Sequence, residues 1–187
     1  HATLKVYDVP IFYFPRFFHP DPSVKRQSGF LAPFFTNSTS VGTGSALPYY
    51  WAISENKDLT FTPKIYTAEN ALIKNEYRQA FKNSFLIVDS SYTQGYEDTD
   101  EKKTPGSRNH IFANFRHSFM EKEDSYSDLE INLQHVSNDT YLEVHDIKTD
   151  LVKNDHDILK NEIKYLIIQK FTYFLLKTNR AQKSVVL

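Results

Sequence analysis

Residues 108–137 alternate between two kinds of side chain with a period of two, and no other feature narrows the fold as far. Ile111, Ala113, Phe115, His117 and Phe119 interleave with His110, Phe112, Asn114, Arg116 and Ser118. After the polar stretch Glu121-Lys122-Glu123-Asp124, Leu129, Ile131 and Leu133 interleave with Glu130, Asn132 and Gln134. Successive side chains take opposite sides only on an extended backbone, so this period means β-strand. The spacing predicts an antiparallel hairpin of Arg108–Phe119 with Tyr126–Ser137, each arm near the ~9–11 residues of a strand that crosses a bilayer. Weaker versions of the pattern over residues 2–7, 59–66, 72–81 and 84–93 predict further strands. With 12 Tyr and 15 Phe among 187 residues, composition also favours strands over helices, and the expected class is all-β with antiparallel pairing.

The faces of these strands bear on the environment. Lys74, Glu76 and Arg78 fall on one side of a single strand, which suits either a water-filled lumen or a solvated outer face and does not suit a sandwich core. Mean hydropathy is −0.51 and no run approaches the ~20 apolar residues of a transmembrane helix. A transmembrane barrel stays open, because its strands alternate lipid-facing and lumen-facing residues and average to a polar sequence. Tyr49, Tyr50 and the lone Trp51 follow Pro48 and precede the polar turn 54–57. Such side chains favour a membrane–water boundary, as an aromatic girdle, and equally an aromatic cluster inside a soluble sandwich.

Prolines interrupt this pattern near the start. Residues 9–33 mix aromatic pairs with Pro10, Pro15, Pro20, Pro22 and Pro33. Each removes a backbone donor that a strand partner would use, so these segments are expected to pair incompletely and to form a weak seam. Residues 11–18 read as extended and 19–22 as a rigid turn. Residues 30–35 and 41–47 flank the polar connector 36–40 as a second hairpin, with Gly42 and Gly44 marking a close backbone approach or a strong bend. Residues 94–108 read as a long charged surface loop. Leu159, Ile163, Leu166 and Ile167 have helical spacing, and residues 151–170 are expected as a loop or short helix leading to strands over about 161–187.

Charge and chemistry-bearing residues exclude more than they indicate. Lys plus Arg total 22 against 23 Asp plus Glu, so no overall field points to nucleic acid or to an acidic membrane surface. Without cysteine there is neither disulfide framework nor thiolate zinc site in these residues. None of the seven histidines has metal-ligand spacing; His145-Asp146 and Asp155-His156-Asp157 are adjacent residues that point apart on an extended chain. No nucleophile elbow or phosphate-binding glycine loop is present, and no clustered Ser/His/acid set is legible. The basic pair Lys25 and Arg26 could meet lipid phosphates or be an ordinary exposed turn.

Four motifs in order carry a resemblance: residues 10–15 (Pro-Ile-Phe-Tyr-Phe-Pro), 24–33 (Val-Lys-Arg-Gln-Ser-Gly-Phe-Leu-Ala-Pro), 48–53 (Pro-Tyr-Tyr-Trp-Ala-Ile) and 58–63 (Asp-Leu-Thr-Phe-Thr-Pro). They resemble successive motifs of the LptD (OstA/Imp) family of LPS-assembly proteins, and the resemblance runs on more loosely to about residue 150. It implies an internal fragment: residues 1–19 as the end of a periplasmic β-jelly roll and its junction, and residues 20–187 as the first strands of an outer-membrane β-barrel. It implies a non-enzymatic role in moving lipopolysaccharide into the outer leaflet, at the cell outer membrane, with no cofactor and no nucleic acid. Expected partners are lipopolysaccharide, outer-membrane lipid, the plug lipoprotein LptE and the bridge protein LptA. Pro15, Pro20 and Pro33 match the family's prolines and are expected as lateral-gate elements, Lys25 and Arg26 as a lipid-phosphate contact, and Tyr49, Tyr50 and Trp51 as girdle. Gln27 departs from the family, whose members commonly carry a second arginine there. The alternatives are a soluble carbohydrate-binding β-sandwich and a small outer-membrane barrel enzyme.

Overall fold

A computed structural model describes residues 2–6, 9–14, 26–99, 103–122, 125–152, 159–169 and 172–182. The fold is all-β. Strand β1 (Ala2–Val6) pairs antiparallel with β2 (Val9–Phe14) as a separate two-stranded sheet. All other strands join one antiparallel sheet: β3 (Gly29–Phe30), β4 (Phe34–Ser38), β5 (Gly42–Ala46), β6 (Tyr49–Ser54), β7 (Lys57–Tyr66), β8 (Leu72–Ala80), β9 (Ser84–Thr93), β10 (Arg108–Lys122), β11 (Ser125–Val136), β12 (Leu159–Gln169) and β13 (Thr172–Gln182). From β7 to β13 it is a meander in which each strand pairs with the next. The expected central hairpin is there, with His110 opposite Val136 and Phe119 opposite Ser127. Among the described residues the sheet is open, with β3 and β4 along one edge and β13 along the other, and no pairing closes it into a barrel.

Two strand positions are broken. Strands β5 and β6 both pair with β7, β5 along Lys64–Tyr66 and β6 along Lys57–Phe61, so they lie in line on its free edge. Strands β3 and β4 lie in line beside them, β3 on β6 and β4 on β5. The stretch expected as one strand over 30–35 is therefore interrupted at Leu31-Ala32-Pro33, and β4 runs on to Ser38 before turning at Thr39–Val41. Gly42 adopts φ +75 at the end of this turn, a conformation that strongly favours glycine. A side chain on Gly44 would lie 2.7 Å from the Thr36 hydroxyl and 2.9 Å from the Tyr66 ring, so the close approach expected there is made by side chains.

The helix expected as one option over 151–170 is absent from its described part, where Leu159–Gln169 form β12. Pairing of Asn132–Ser125 with Glu162–Gln169 supplies a full ladder, and this outweighs the weak helical propensity of four apolar residues. The one helix among the described residues is a single turn, α1 (Tyr141–Val144), within the connection from β11 to β12. It folds back over one end of the sheet. There Val41, Tyr66, Leu72, Tyr141 and Ile147 make the apolar core, flanked by Tyr96, Val136, Leu142 and Val144.

Candidate functional site

Strand register assigns every side chain of β7–β12 to one of two faces, and their chemistry is inverted relative to a soluble protein. Asp58, Lys64, Asp89, His110 and Asn114 share one face and are 1–5 % exposed. Trp51, Ile65, Ile111, Leu133 and Ile163 share the other and are 49–63 % exposed. Leu59, Phe61 and Ile73 extend the apolar face. Its exposed apolar side chains run from Trp51 on β6 to Ile163 on β12, and such contiguous apolar surface is unusual for a soluble monomer.

Most carboxylates of the polar face are met by cations of the same face. Asp58 receives Arg26 at 2.7 Å and Arg78 at 2.9 Å. Asp89 lies 3.1 Å from both the Lys74 ammonium and the His110 ring. Glu130 gathers Arg116 at 3.2 Å, Lys164 at 3.5 Å and the Asn114 amide at 3.0 Å. The expected row of Lys74, Glu76 and Arg78 is thus part of a network across strands. A buried ionised group needs such partners; Arg78, Arg116 and Lys164 supply them from directly opposite positions, Lys74 and His110 from diagonal ones, and Arg26 from the segment before β3.

One part of this network has the composition of a hydrolytic triad. The Ser91 hydroxyl is 2.6 Å from His110 Nδ1, and His110 Nε2 is 3.1 Å from Asp89 Oδ1. Reading the sequence missed it, because residues 89 and 91 meet 110 only through the β9–β10 register. The arrangement is structural. Ser91 is 4 % exposed and shares its hydroxyl with Tyr141 at 2.7 Å, and its backbone lies within the β8–β9–β10 ladders. At that exposure, and with two side-chain partners already on it, the hydroxyl is closed to an incoming substrate carbonyl. Among the described residues, no group of three His, Cys, Asp or Glu could hold a metal ion.

Residues 137–152 lie as a strap over one end of the polar face. The His145 carbonyl accepts from Lys64 Nζ at 2.6 Å and the Tyr66 hydroxyl at 3.4 Å, and the Lys148 carbonyl accepts from Lys74 Nζ at 2.7 Å. His145 Nδ1 is 3.1 Å from the Tyr66 hydroxyl. Burial first, then the charges of Lys64 and Arg108, hold the His145 imidazole down at about 4 despite Glu69. Burial pushes the Tyr141 phenol up to about 12.

At the other edge of the sheet the prolines fall into a line. Two residues of a hydrogen-bonded antiparallel pair exchange two bonds. At the break between β3 and β4, Leu31 N donates to Pro48 O at 2.9 Å, and at the break between β5 and β6, Leu47 N donates to Pro63 O at 3.4 Å. Proline has no N–H to return either bond. Adjacent strand pairs are therefore underbonded at one level, beside Pro33. Pro48 and Pro63 were missed as seam elements, although the signal is visible: Pro33, Pro48 and Pro63 are 15 residues apart, with turn residues midway at 39–41 and 55–56. Antiparallel hairpins with that spacing bring the three to within about one residue of the same level.

The other expected site residues separate. Pro15, Pro20 and Lys25 lie outside the described residues. Arg26, expected at a lipid phosphate, has Asp58 as an internal partner and is 57 % exposed in its side chain. Tyr49 and Trp51 stand on the apolar face, Tyr49 edge-on to Phe30 at 5.1 Å, whereas Tyr50 opposite Thr60 stands on the polar face.

The family model described as LptD protein matches residues 1–169. A protein named LPS-assembly protein LptD from Legionella pneumophila strain Lens is 30 % identical over 160 residues, covering 81 % of this chain and 19 % of the relative. Proteins of the same name are 45 % identical over 78 residues in Shewanella oneidensis (42 % of this chain, 10 % of the relative) and 34 % identical over 101 residues in Pseudomonas aeruginosa strain UCBPP-PA14 (54 % and 11 %). The chain spans about a fifth of the length of this Legionella relative and about a tenth of the other two.

Proposed function

The chain belongs to the LptD protein family, and on that premise we propose that it forms the junction and first barrel strands of an outer-membrane translocon that inserts lipopolysaccharide into the outer leaflet. The observation that carries this reading is the inverted sheet, apolar and exposed on one side, charged and buried on the other. In hydrocarbon the apolar face has its solvent and the polar face lines a lumen, as a transmembrane barrel requires. In the proposal residues 1–19, whose β1–β2 hairpin is a sheet apart, end a periplasmic jelly roll, and residues 20–187 begin the barrel. Tyr49 and Trp51 face lipid near the boundary. Arg26 keeps guanidinium donors beyond its pair with Asp58 and, with Lys25, meets lipid phosphate. The plug lipoprotein LptE and the bridge protein LptA are the partners of the whole protein. The reading contains no enzymatic step.

The lateral gate is assigned to the proline line. Opening a barrel wall exposes donors and acceptors to hydrocarbon at several kcal/mol each, and a wall already short of donors opens at less cost. Pro33 lies beside Pro48 and Pro63, and Pro15 and Pro20 belong to the same proposal. The test replaces Pro33, Pro48 and Pro63 with Val or Thr in the full-length protein. Each restored bond contributes about 0.5–1.5 kcal/mol, so two or three shift opening by roughly tenfold or more. The expected result is a barrel that still assembles, seen by heat-modifiable gel mobility, and delivers less lipopolysaccharide to the cell surface. Unchanged delivery would make the prolines simple turn formers, and lost assembly would make them folding elements.

A further inference from the structure

The buried carboxylates of the polar face each have a cation: Asp58 has Arg26 and Arg78, Asp89 has Lys74, and Glu69 has Lys103. Lys64 is the reverse case. It is 4 % exposed, and no ion pair among the described residues includes its ammonium; the Asp146 carboxylate attracts it from farther off, against the repulsion of Lys148 and Lys74. Its surroundings are the His145 carbonyl at 2.6 Å and the rings of Tyr66 at 5.6 Å and Phe34 at 6.0 Å. An ammonium has three donors, and a neutral carbonyl satisfies one of them without supplying charge. Burying a cation without a close counter-charge is unfavourable, so its retention needs a reason.

That reason lies in the space beside it. A cavity of about 460 Å³ is lined by Phe34, Thr36, Lys64, Leu72, Lys74 and Lys148, with Asp146 as a lining carboxylate that pairs with Lys148 at 3.5 Å. Lys74 is paired with Asp89 and Lys148 with Asp146, so the positive charge left over is that of Lys64, and Phe34 and Leu72 give the cavity an apolar wall. Its volume suits a sugar carrying a phosphate. Lys64 is held on the cavity side by the strap carbonyl of His145, and Lys74, paired with Asp89, also donates to the Lys148 carbonyl. An oxyanion offers the same lone pairs together with charge, and charge-assisted bonds are roughly twice as strong.

We propose that this cavity is an anion station on the translocation path, in which Lys64, with Lys148 on the strap, binds the phosphorylated sugar headgroup of the transported lipid and displaces the strap carbonyls. The proposal rests on the lipopolysaccharide-transport reading and adds a defined stop within it. It requires no covalent step.

The test is calorimetric titration of the full-length, assembled protein in detergent with three lipid-free probes: a bisphosphorylated glucosamine disaccharide, its dephosphorylated form, and inorganic phosphate. The disaccharide bisphosphate is expected to bind, the dephosphorylated sugar not to bind, and phosphate alone to bind more weakly at the same place. Lys64→Met keeps the aliphatic stem against Phe34 and Tyr66 and is expected to weaken bisphosphate binding by about tenfold or more, as loss of one charge-assisted contact implies. Lys148→Met, at a residue on the exposed strap, is expected to weaken it as well and serves should Lys64→Met fail to assemble. Bisphosphate binding that is absent, or unchanged in both variants, overturns the station. Phosphate binding as tight as the disaccharide overturns the headgroup assignment, and equal binding of the dephosphorylated sugar overturns the anion chemistry. Binding is read without export, so failure of the proline test leaves this result standing, and failure here leaves the proline seam untouched.

Discussion

Ser91, His110 and Asp89 show how far a constellation can mislead when distance is taken without access. The spacings of 2.6 and 3.1 Å are those of a catalytic triad, yet all three residues are at most 4 % exposed, and Tyr141 sits on the hydroxyl. Their work is to satisfy buried polarity on a face that has no apolar core beneath most of it. A fluorophosphonate probe applied to the assembled protein is therefore expected to leave Ser91 unmodified, as read by intact mass. Labelling abolished by Ser91→Ala would reassign the network to hydrolysis. Lys64 is the opposite lesson, a single residue whose place in the sequence between Pro63 and Ile65 looks unremarkable and whose burial without an ion pair among the described residues gives it meaning.

Among the elements, the strap 137–152 departs most from a plain meander. It carries the only helical turn among the described residues and covers the polar face with its own carbonyls. Its docking depends on a neutral His145, which faces Lys64 and Tyr66 from β7, Arg108 from β10, Glu69 from the β7–β8 loop and Tyr141 from α1. The folded imidazole titrates at about 4, below the ordinary ~6.5, so the undocked strap binds the extra proton first. Docking is then fully stable above about pH 6.5 and is lost as pH falls toward 4, by at most about tenfold per pH unit. Hydrogen exchange of the Tyr141–Ile147 amides, corrected for intrinsic rates, is expected to show protection flat above that range and falling below it, with the slope removed in His145→Gln. Protection constant from pH 7 to 4 would show that His145 does not govern docking.

For the whole molecule the inverted sheet sets the solvent. An antiparallel sheet that, among the described residues, has two unpaired edges and an apolar face is a template for aggregation in water. Expressed alone without detergent, this chain is expected to aggregate or to stay incompletely folded, while detergent micelles increase its strand content by circular dichroism. A soluble monomer with one cooperative thermal transition would favour a sandwich and overturn the membrane reading.

The sequence by itself determined the strands, because period-two alternation is a local property and the β10–β11 hairpin pairs as the pattern of Ile111–Phe119 and Leu129–Leu133 demands. It also determined the family, through motifs at residues 10–63 and a family match that extends to residue 169. Two things were open to it and went unread: the even spacing of Pro33, Pro48 and Pro63, and with it the breaks that divide β3 from β4 and β5 from β6. Only the tertiary structure decided the rest. Whether Tyr50 joins Tyr49 and Trp51 depends on which face is apolar, and a single strand does not say. Arg26 reaches Asp58 across 32 residues, and Lys64 reaches His145 across 81. Such contacts follow from register and from how the strap folds back, properties of the whole sheet that no local pattern encodes.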